Sequence, residues 1–129
     1  MFYLETSAAA KLVLDEPATA SLHRWLTPRA SRIFSSDLLR TELLRLARRS
    51  TPDVVLQARA VLDSILLSEL TTETCERAAL LEPAQLRSLD AIHLAAALEA
   101  RSDLEGIVTY DVRLTGAAAA VGVPVVSPR

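Results

Sequence analysis

Short apolar segments alternate with amphipathic helical segments along the chain, and this alternation most strongly constrains the fold. The predicted strands are Phe2–Leu4, Arg32–Ser35, Glu69–Thr72, Gly106–Tyr110 and Val123–Val126. Parallel strands need long crossover connections, usually helices, so strands that alternate with helices indicate a parallel sheet. Helices then cover both faces of that sheet. The sequence therefore predicts an α/β fold.

Apolar residues at helical spacing predict the helices that connect these strands. They are Ala8–Leu14, a helix from Pro17 ended by Pro28, a helix after Ser36 or Asp37 that runs to about Arg49, Val54–Leu67, Glu73–Leu81, Leu89–Arg101 and a helix through Ala117–Ala120 that ends at Gly122. Because Ser and Thr are good N-caps, Thr6 or Ser7 is predicted to cap the first helix. Ser88 is predicted to cap the helix Leu89–Arg101 for the same reason.

Composition and charge restrict the classes of function. The chain has 129 residues, enough for a buried core, so we expect a single domain over residues 1–129. Its one cysteine, Cys75, excludes an internal disulfide framework and fits a reducing cytoplasm. No apolar stretch reaches the ~18 residues of a membrane span. A net charge of −2 excludes a diffuse polycation, so any phosphate-binding surface must be a local patch.

Glu42 interrupts the apolar stripe of its predicted helix instead of lying on the solvent face. The stripe consists of Leu38, Leu39, Leu43 and Leu46. A carboxylate in such a position needs a partner, a cation or a cleft, because burying an unpaired charge costs several kcal/mol. An ion pair with Arg45 or Arg49 is the simpler explanation, and a functional site is the alternative.

Three more carboxylates occupy unusual places, and each also has a simple structural explanation. Glu5 and Asp111 follow predicted strands, where side chains of a parallel sheet converge on one crevice, but either residue could cap the next helix. Asp90 borders the core in the first turn of its helix, where it also complements the helix dipole. Carboxylates that meet at one sheet edge repel each other unless cations compensate them. A cluster of oxygen ligands without His or Cys selects a hard divalent ion, Mg²⁺ or Mn²⁺.

Four motifs, taken in order and spacing, resemble PIN-domain ribonucleases and, within them, the VapC-type toxins of toxin–antitoxin pairs. The motifs are Tyr3–Ala8, Ser36-x5-Glu42-Leu43, Leu86–Ala95 and Val108–Leu114. The resemblance covers essentially the whole chain. It implies a PIN-like three-layer sandwich, in which helices cover both faces of a parallel sheet of about five strands in the order 3-2-1-4-5.

The resemblance also implies an activity and a set of site residues. It implies cleavage of RNA phosphodiesters, in tRNA or ribosomal RNA, by water that Mg²⁺ or Mn²⁺ activates. The family's acidic residues map onto Glu5, Glu42, Asp90 and Asp111. By the same analogy, the hydroxyls of Thr6 and Thr109 support these carboxylates. A cognate VapB-type antitoxin and a homodimer are the implied protein partners.

Glu5 departs from the family pattern, which places Asp at that position. The extra methylene moves the carboxylate, and Mg²⁺ tolerates misplaced ligands badly. One hypothesis is an active endoribonuclease with adjusted geometry. The alternatives are a catalytically attenuated PIN-like module that mainly binds antitoxin or RNA, and a metal-dependent DNA nuclease.

Several other polar residues have both a functional and a structural interpretation. Arg87 and Arg113 flank two acidic motifs and are candidates for RNA phosphate contacts or for ion pairs within the site. His93 lies three residues after Asp90, a spacing that fits a metal pair but more commonly reflects a histidine packed beside the core. Four arginines cluster on the Glu42 helix, where a solvated face is the first interpretation and RNA contact the second. They are Arg40, Arg45, Arg48 and Arg49.

Overall fold

A five-stranded parallel sheet forms the centre of the structure, a computed structural model that describes residues 1–129. The strands are β1 (Phe2–Leu4), β2 (Ile33–Ser36), β3 (Leu66–Ser68), β4 (Gly106–Val108) and β5 (Val125–Val126). Their order is β3-β2-β1-β4-β5, and every neighbouring pair is parallel. In the register, Tyr3 of β1 lies beside Phe34 on one side and Ile107 on the other. The predicted α/β fold and strand order are confirmed.

Seven α-helices cover the two faces of the sheet. They are α1 (Thr6–Val13), α2 (Thr19–Leu26), α3 (Asp37–Arg48), α4 (Pro52–Asp63), α5 (Thr72–Ala79), α6 (Ser88–Leu98) and α7 (Val112–Ala120). Successive residues of a strand point to opposite faces. Leu4, Ile33 and Val108 therefore pack with α1–α4, whereas Tyr3 packs with α6 and α7. Helix α5 adds to the second layer by packing on α6. None of these helices has the length and apolar character that a membrane span requires.

The third strand lies earlier in the chain than predicted. The prediction of a strand at Glu69–Thr72 is wrong, because β3 is Leu66–Ser68, paired with β2. Leu66 and Leu67 continue the apolar pattern of the preceding helix, so the sequence pattern extended that helix to Leu67. In the structure, Asp63 is the last residue of α4, and Thr71 caps α5 by accepting a hydrogen bond from the Thr74 amide.

Some predicted helix boundaries also differ from the structure. Glu5, and not Thr6 or Ser7, is the N-cap of α1. Ser88 is the first residue of α6 and not its cap. Helix α2 ends at Leu26, just before Pro28 as predicted, and a 3-10 segment, Thr27–Arg32, follows it directly. Proline is tolerated near the start of such a segment, where its missing N–H has no intrahelical acceptor.

Candidate active site

The four carboxylates singled out in the sequence line one cavity of about 360 Å³. Glu5 follows β1, Glu42 lies on α3, Asp90 lies in the first turn of α6, and Asp111 precedes α7. The carboxyl ends of β1 and β4 and the N-termini of three helices meet here, as expected for an open parallel sheet. The other lining residues are Thr6, Ser7, Arg87, Ser88, Leu89 and His93. The topology thus brings together residues from four separate parts of the chain.

Only one of the two carboxylate oxygens of Glu5 is hydrogen-bonded to the protein. Its side chain is 5% exposed. Oε2 accepts hydrogen bonds from the Ser7 amide at 2.9 Å, from the Ser7 hydroxyl and from Thr109 Oγ1 at 2.7 Å. Oε1 accepts no hydrogen bond from the protein, so this oxygen is available to a ligand in the cavity. The capping role expected as an alternative for Glu5 therefore coexists with a position in the site.

Glu42 is bound by two side chains of the site and not by the arginines of its own helix. Its Oε1 accepts from Thr6 Oγ1 at 2.6 Å and lies 2.6 Å from His93 Nε2. Burial raises the pKa of Glu42, but the hydrogen bonds from His93 and Thr6 outweigh it, and the pKa lies below its ordinary value. The alternative of an ion pair with Arg45 or Arg49 is wrong.

His93 connects Glu42 to a buried chain of hydrogen bonds. It is 2% exposed, and its Nδ1 lies 2.8 Å from the Tyr3 hydroxyl, which lies 2.8 Å from Ser36 Oγ. Ionised Glu42 only accepts, so Nε2 donates, and in a neutral imidazole Nδ1 then accepts from Tyr3. Burial raises the pKa of Tyr3 far above its ordinary value, which keeps the phenol protonated as that donor.

This network is the part of the site that the sequence reasoning missed. His93 was expected to pack beside the core, and it does so, but it also fixes the orientation of Glu42. Tyr3 belongs to a predicted strand and to the motif Tyr3–Ala8, and the predicted site does not include its hydroxyl. Its signal was present in the sequence, since a Tyr on the inward face of a buried strand must find a partner for its hydroxyl.

No side chain donates a hydrogen bond to the carboxylate of Asp90 or Asp111, in contrast to that of Glu42. Asp90 is buried, and neither of its oxygens accepts a hydrogen bond from the protein. Burial first, and then the negative charges of Asp111 and Glu5, raise the pKa of Asp90, against the opposing effect of His93 and Arg87. Asp111 Oδ1 caps α7 by accepting from two backbone amides at 2.8 and 3.1 Å, while Oδ2 accepts no hydrogen bond.

Arg87 and Arg113 differ in their relation to the cavity. Arg87 lines it, whereas Arg113 lines a neighbouring groove that also contains Arg87. Both side chains are exposed. The expected alternative, that they hold the site together as ion pairs, is wrong, because neither guanidinium forms one.

The donor set of the cavity has the chemistry that a hard divalent cation requires. The carboxylate oxygens left without a hydrogen bond are Glu5 Oε1, Glu42 Oε2, Asp111 Oδ2 and both oxygens of Asp90. No three Asp, Glu, His or Cys side chains are gathered closely enough to hold one ion among them. Mg²⁺ keeps several of its waters and uses one or two carboxylates directly, so a wide carboxylate cavity suits it.

Comparison with known proteins shows the family of this chain. The family model of the PIN domain matches residues 2–120. Ribonuclease VapC47 of Mycobacterium tuberculosis is 42% identical over 132 residues, which cover 99% of this chain and 97% of the relative. Ribonuclease VapC46 of the same species is 36% identical over 126 residues, 98% of this chain and 96% of the relative.

A solved structure shares the fold at low sequence identity. The crystal structure of Mycobacterium tuberculosis VapC20, described as a sarcin–ricin loop cleaving toxin, has a TM-score of 0.77 and 17% identity, and the match covers 99% of this chain and 100% of VapC20. Together with the family model and the full-length relatives, this shows that the chain belongs to the PIN-domain family, among the VapC ribonucleases.

Proposed function

We propose that this protein is a metal-dependent endoribonuclease toxin in which Glu5, Glu42, Asp90 and Asp111 hold Mg²⁺ or Mn²⁺, one or two of them directly and the others through the waters of the ion. One observation carries the proposal. Four carboxylates line a single cavity with unused oxygens, and burial, followed by the negative charges of Asp111 and Glu5, raises the pKa of Asp90. A bound cation relieves such repulsion. Once bound, it supplies a Lewis acid and an activated water for attack on a phosphodiester.

Some carboxylate oxygens of the site are held by hydrogen bonds, and others are left without one. Thr6 and His93 hold Glu42 ionised and oriented, and Thr109 holds one oxygen of Glu5. The extra methylene of Glu5 is accommodated because Oε2 turns back to cap α1 while Oε1 stays unbonded. This supports an active enzyme in which Glu5 serves at the position where the family resemblance implies Asp.

Arg87 and Arg113 are proposed to neutralise RNA phosphates beside the carboxylates. Arg87 lines the cavity, and neither of the two guanidinium groups has an ion-pair partner in the protein. A free arginine suits bidentate contact with a phosphate. Arg113, near the start of α7, lines the neighbouring groove together with Arg87.

The partners and setting are proposed from the resemblance to VapC-type toxins, which implies a VapB-type antitoxin. The solved structure of VapC20 is described as that of a sarcin–ricin loop cleaving toxin. We therefore propose structured RNA, tRNA or rRNA, as the substrate, a VapB-type antitoxin as the inhibitor, a homodimer as the assembly and the cytoplasm as the location. We also propose that residues 1–129 form a single PIN domain, since the family model covers 2–120 and β5 pairs with β4 in the same sheet.

The decisive experiment is cleavage of total cellular RNA and of matched DNA by the purified protein, with Mg²⁺, with Mn²⁺ or with EDTA. We expect discrete RNA fragments that require a divalent ion. Asp90→Asn should slow their formation by about 100-fold or more, because the charge facing the cavity is lost. The exposed Asp63→Asn on α4 is the matched control and should cleave like the parent chain.

Three results would contradict the proposal in different ways. Cleavage that persists in EDTA would exclude a metal mechanism, and equal cleavage of DNA would exclude RNA specificity. No cleavage by the parent chain, together with cleavage by Glu5→Asp, would identify an attenuated module whose defect lies at Glu5.

A further inference from the structure

A broad groove between α3 and α4 collects an unusual share of the chain's positive charge. Its volume is about 890 Å³, larger than the active-site cavity, and no Asp or Glu lines it. Four of the chain's thirteen arginines line it and are exposed to solvent. They are Arg40, Arg45, Arg48 and Arg59. In a chain whose net charge is −2, this is a concentrated positive surface.

Most of this charge has no partner within the protein. Arg40 pairs with Asp37 at 3.1 Å. Arg45, Arg48 and Arg59 form neither an ion pair nor a side-chain hydrogen bond. Helix-dipole stabilisation explains a cation in the last turn of α3, where Arg45 and Arg48 lie. It does not explain Arg59, which reaches the same groove from α4.

Helix α3 contributes to both the groove and the active-site cavity. Glu42 of this helix lines the active-site cavity, and the adjacent Thr41 lines the groove. With a rise of 1.5 Å per residue, Arg45 lies about 4.5 Å and Arg48 about 9 Å further along the helix axis than Glu42. A polyanion with one unit at the carboxylates would therefore meet these arginines in succession.

The lining favours a nucleic acid backbone over a protein. Protein interfaces are enriched in aromatic residues, and this groove contains none. A two-fold contact between two copies would place each set of arginines against itself or its equivalent. Without aromatic side chains the groove has no stacking platform for bases, so its contacts would go to phosphates.

We propose that the α3–α4 groove binds the phosphate backbone of RNA that flanks the cleavage site, through Arg45, Arg48 and Arg59. This rests on the proposed ribonuclease function. Phosphate contacts of this kind fix the register of the substrate over the carboxylates and add affinity without reading sequence.

The test measures RNA binding separately from cleavage. Asp90→Asn serves as the background for both arms, so that the probe stays intact during titration. The triple variant Arg45→Gln, Arg48→Gln, Arg59→Gln is compared with Arg24→Gln, Arg77→Gln, Arg101→Gln, which removes the same charge from exposed sites elsewhere. A fluorescein-labelled, unstructured RNA of about 20 nucleotides is titrated by fluorescence anisotropy from about 50 to about 400 mM salt.

The logarithm of the association constant falls as the logarithm of the salt concentration rises. Loss of three phosphate contacts should make this slope less steep by about 2 and weaken binding at low salt by about 10- to 100-fold. The control triple variant should keep the parent slope. Equal slopes in both triple variants would overturn the proposal. So would an unchanged RNA slope with lost binding of a labelled poly-glutamate peptide, which would assign the groove to an acidic protein partner.

Failure here and failure of the proposed function are distinguishable. A groove-dependent slope in a protein that cleaves no RNA would leave the groove assignment standing and refute the nuclease. Metal-dependent cleavage, together with a salt dependence that the groove substitutions leave unchanged, would support the nuclease and refute the groove assignment. Circular dichroism of each variant checks that the helices are intact.

Discussion

Replacing His93 with Phe tests whether the buried network controls the carboxylate of Glu42. Phe keeps a ring of similar size in a site that is 2% exposed, but it removes the hydrogen bonds to Tyr3 and Glu42. Neither partner is orphaned, because Tyr3 keeps Ser36 and Glu42 keeps Thr6. The change therefore isolates the imidazole contacts.

The expected loss follows from the two bonds. A hydrogen bond to a charged group contributes about 1.5–3 kcal/mol and a neutral one about 1 kcal/mol, while the apolar ring recovers part of this. We expect His93→Phe to lower the free energy of unfolding by about 2–3 kcal/mol. For a chain of this length, that corresponds to a fall in Tm of about 6–12 °C. The exposed His23→Phe is the control and should stay within about 0.5 kcal/mol of the parent chain.

The loss of stability in His93→Phe should also depend on pH. The pKa of folded Glu42 lies below its ordinary value of 4.5, so its ionised form stabilises the fold above about pH 4.5. This stabilisation disappears as the pH falls through the lowered pKa of the folded state. Urea denaturation in EDTA, between about pH 7 and about pH 3, should show the parent and His93→Phe converging at low pH. A constant difference, or equal midpoints at neutral pH, would refute this account of the network.

Three further substitutions test other parts of the site and sheet. Asp90→Asn should raise the free energy of unfolding at neutral pH in metal-free buffer by up to about 1 kcal/mol, because burial and neighbouring carboxylates raise the pKa of Asp90 and make its ionised form unfavourable. Mg²⁺ should then raise the Tm of the parent chain but not of Asp90→Asn, as read by calorimetry. Glu5→Gln should reduce RNA cleavage by about 100-fold, because it keeps the side-chain length but removes the charge from Oε1; full activity would exclude Glu5 as a ligand. Gly106→Ala should lower stability to urea by about 1–2 kcal/mol, since its Cβ would lie 3.0 Å from the Pro124 carbonyl oxygen, whereas Gly116→Ala on α7 meets no atom within 4 Å and should be neutral or stabilising.

The fold could be predicted largely because it is encoded locally. Each strand except β3 has its apolar segment bounded by a cap or a turn. The exception is instructive, since Ile65, Leu66 and Leu67 fit both the end of an amphipathic helix and a buried strand. Hydrophobic periodicity cannot distinguish a helix end from a strand in so short a segment. In the structure, pairing with β2 makes Leu66–Ser68 a strand. The strand order came from the resemblance of four motifs, not from periodicity.

The site divides into a predictable and an unpredictable part for a physical reason. The carboxylates stand out locally, because Glu42 interrupts an apolar stripe and Asp111 follows a strand. The contacts that orient them do not, because they join distant positions. Tyr3 and His93 are 90 residues apart in the chain, and Thr109 and Glu5 are 104 apart. The pairing of β1 with β4 brings Glu5 and Thr109 together, and the packing of α6 on the sheet brings His93 to Tyr3.

In the metal-free protein, the negative charges of Glu42 and Asp90 are stabilised to different extents. Glu42 receives its stabilisation from Thr6 and the buried network, so the protein alone keeps it ionised. Asp90 has no such donors and is opposed by its carboxylate neighbours. A cation that binds the folded state relieves this repulsion, and binding to the folded state adds directly to the free energy of unfolding. In the proposed enzyme, the ion required for cleavage would therefore also stabilise the fold, and the gain would come mainly from Asp90 and not from Glu42.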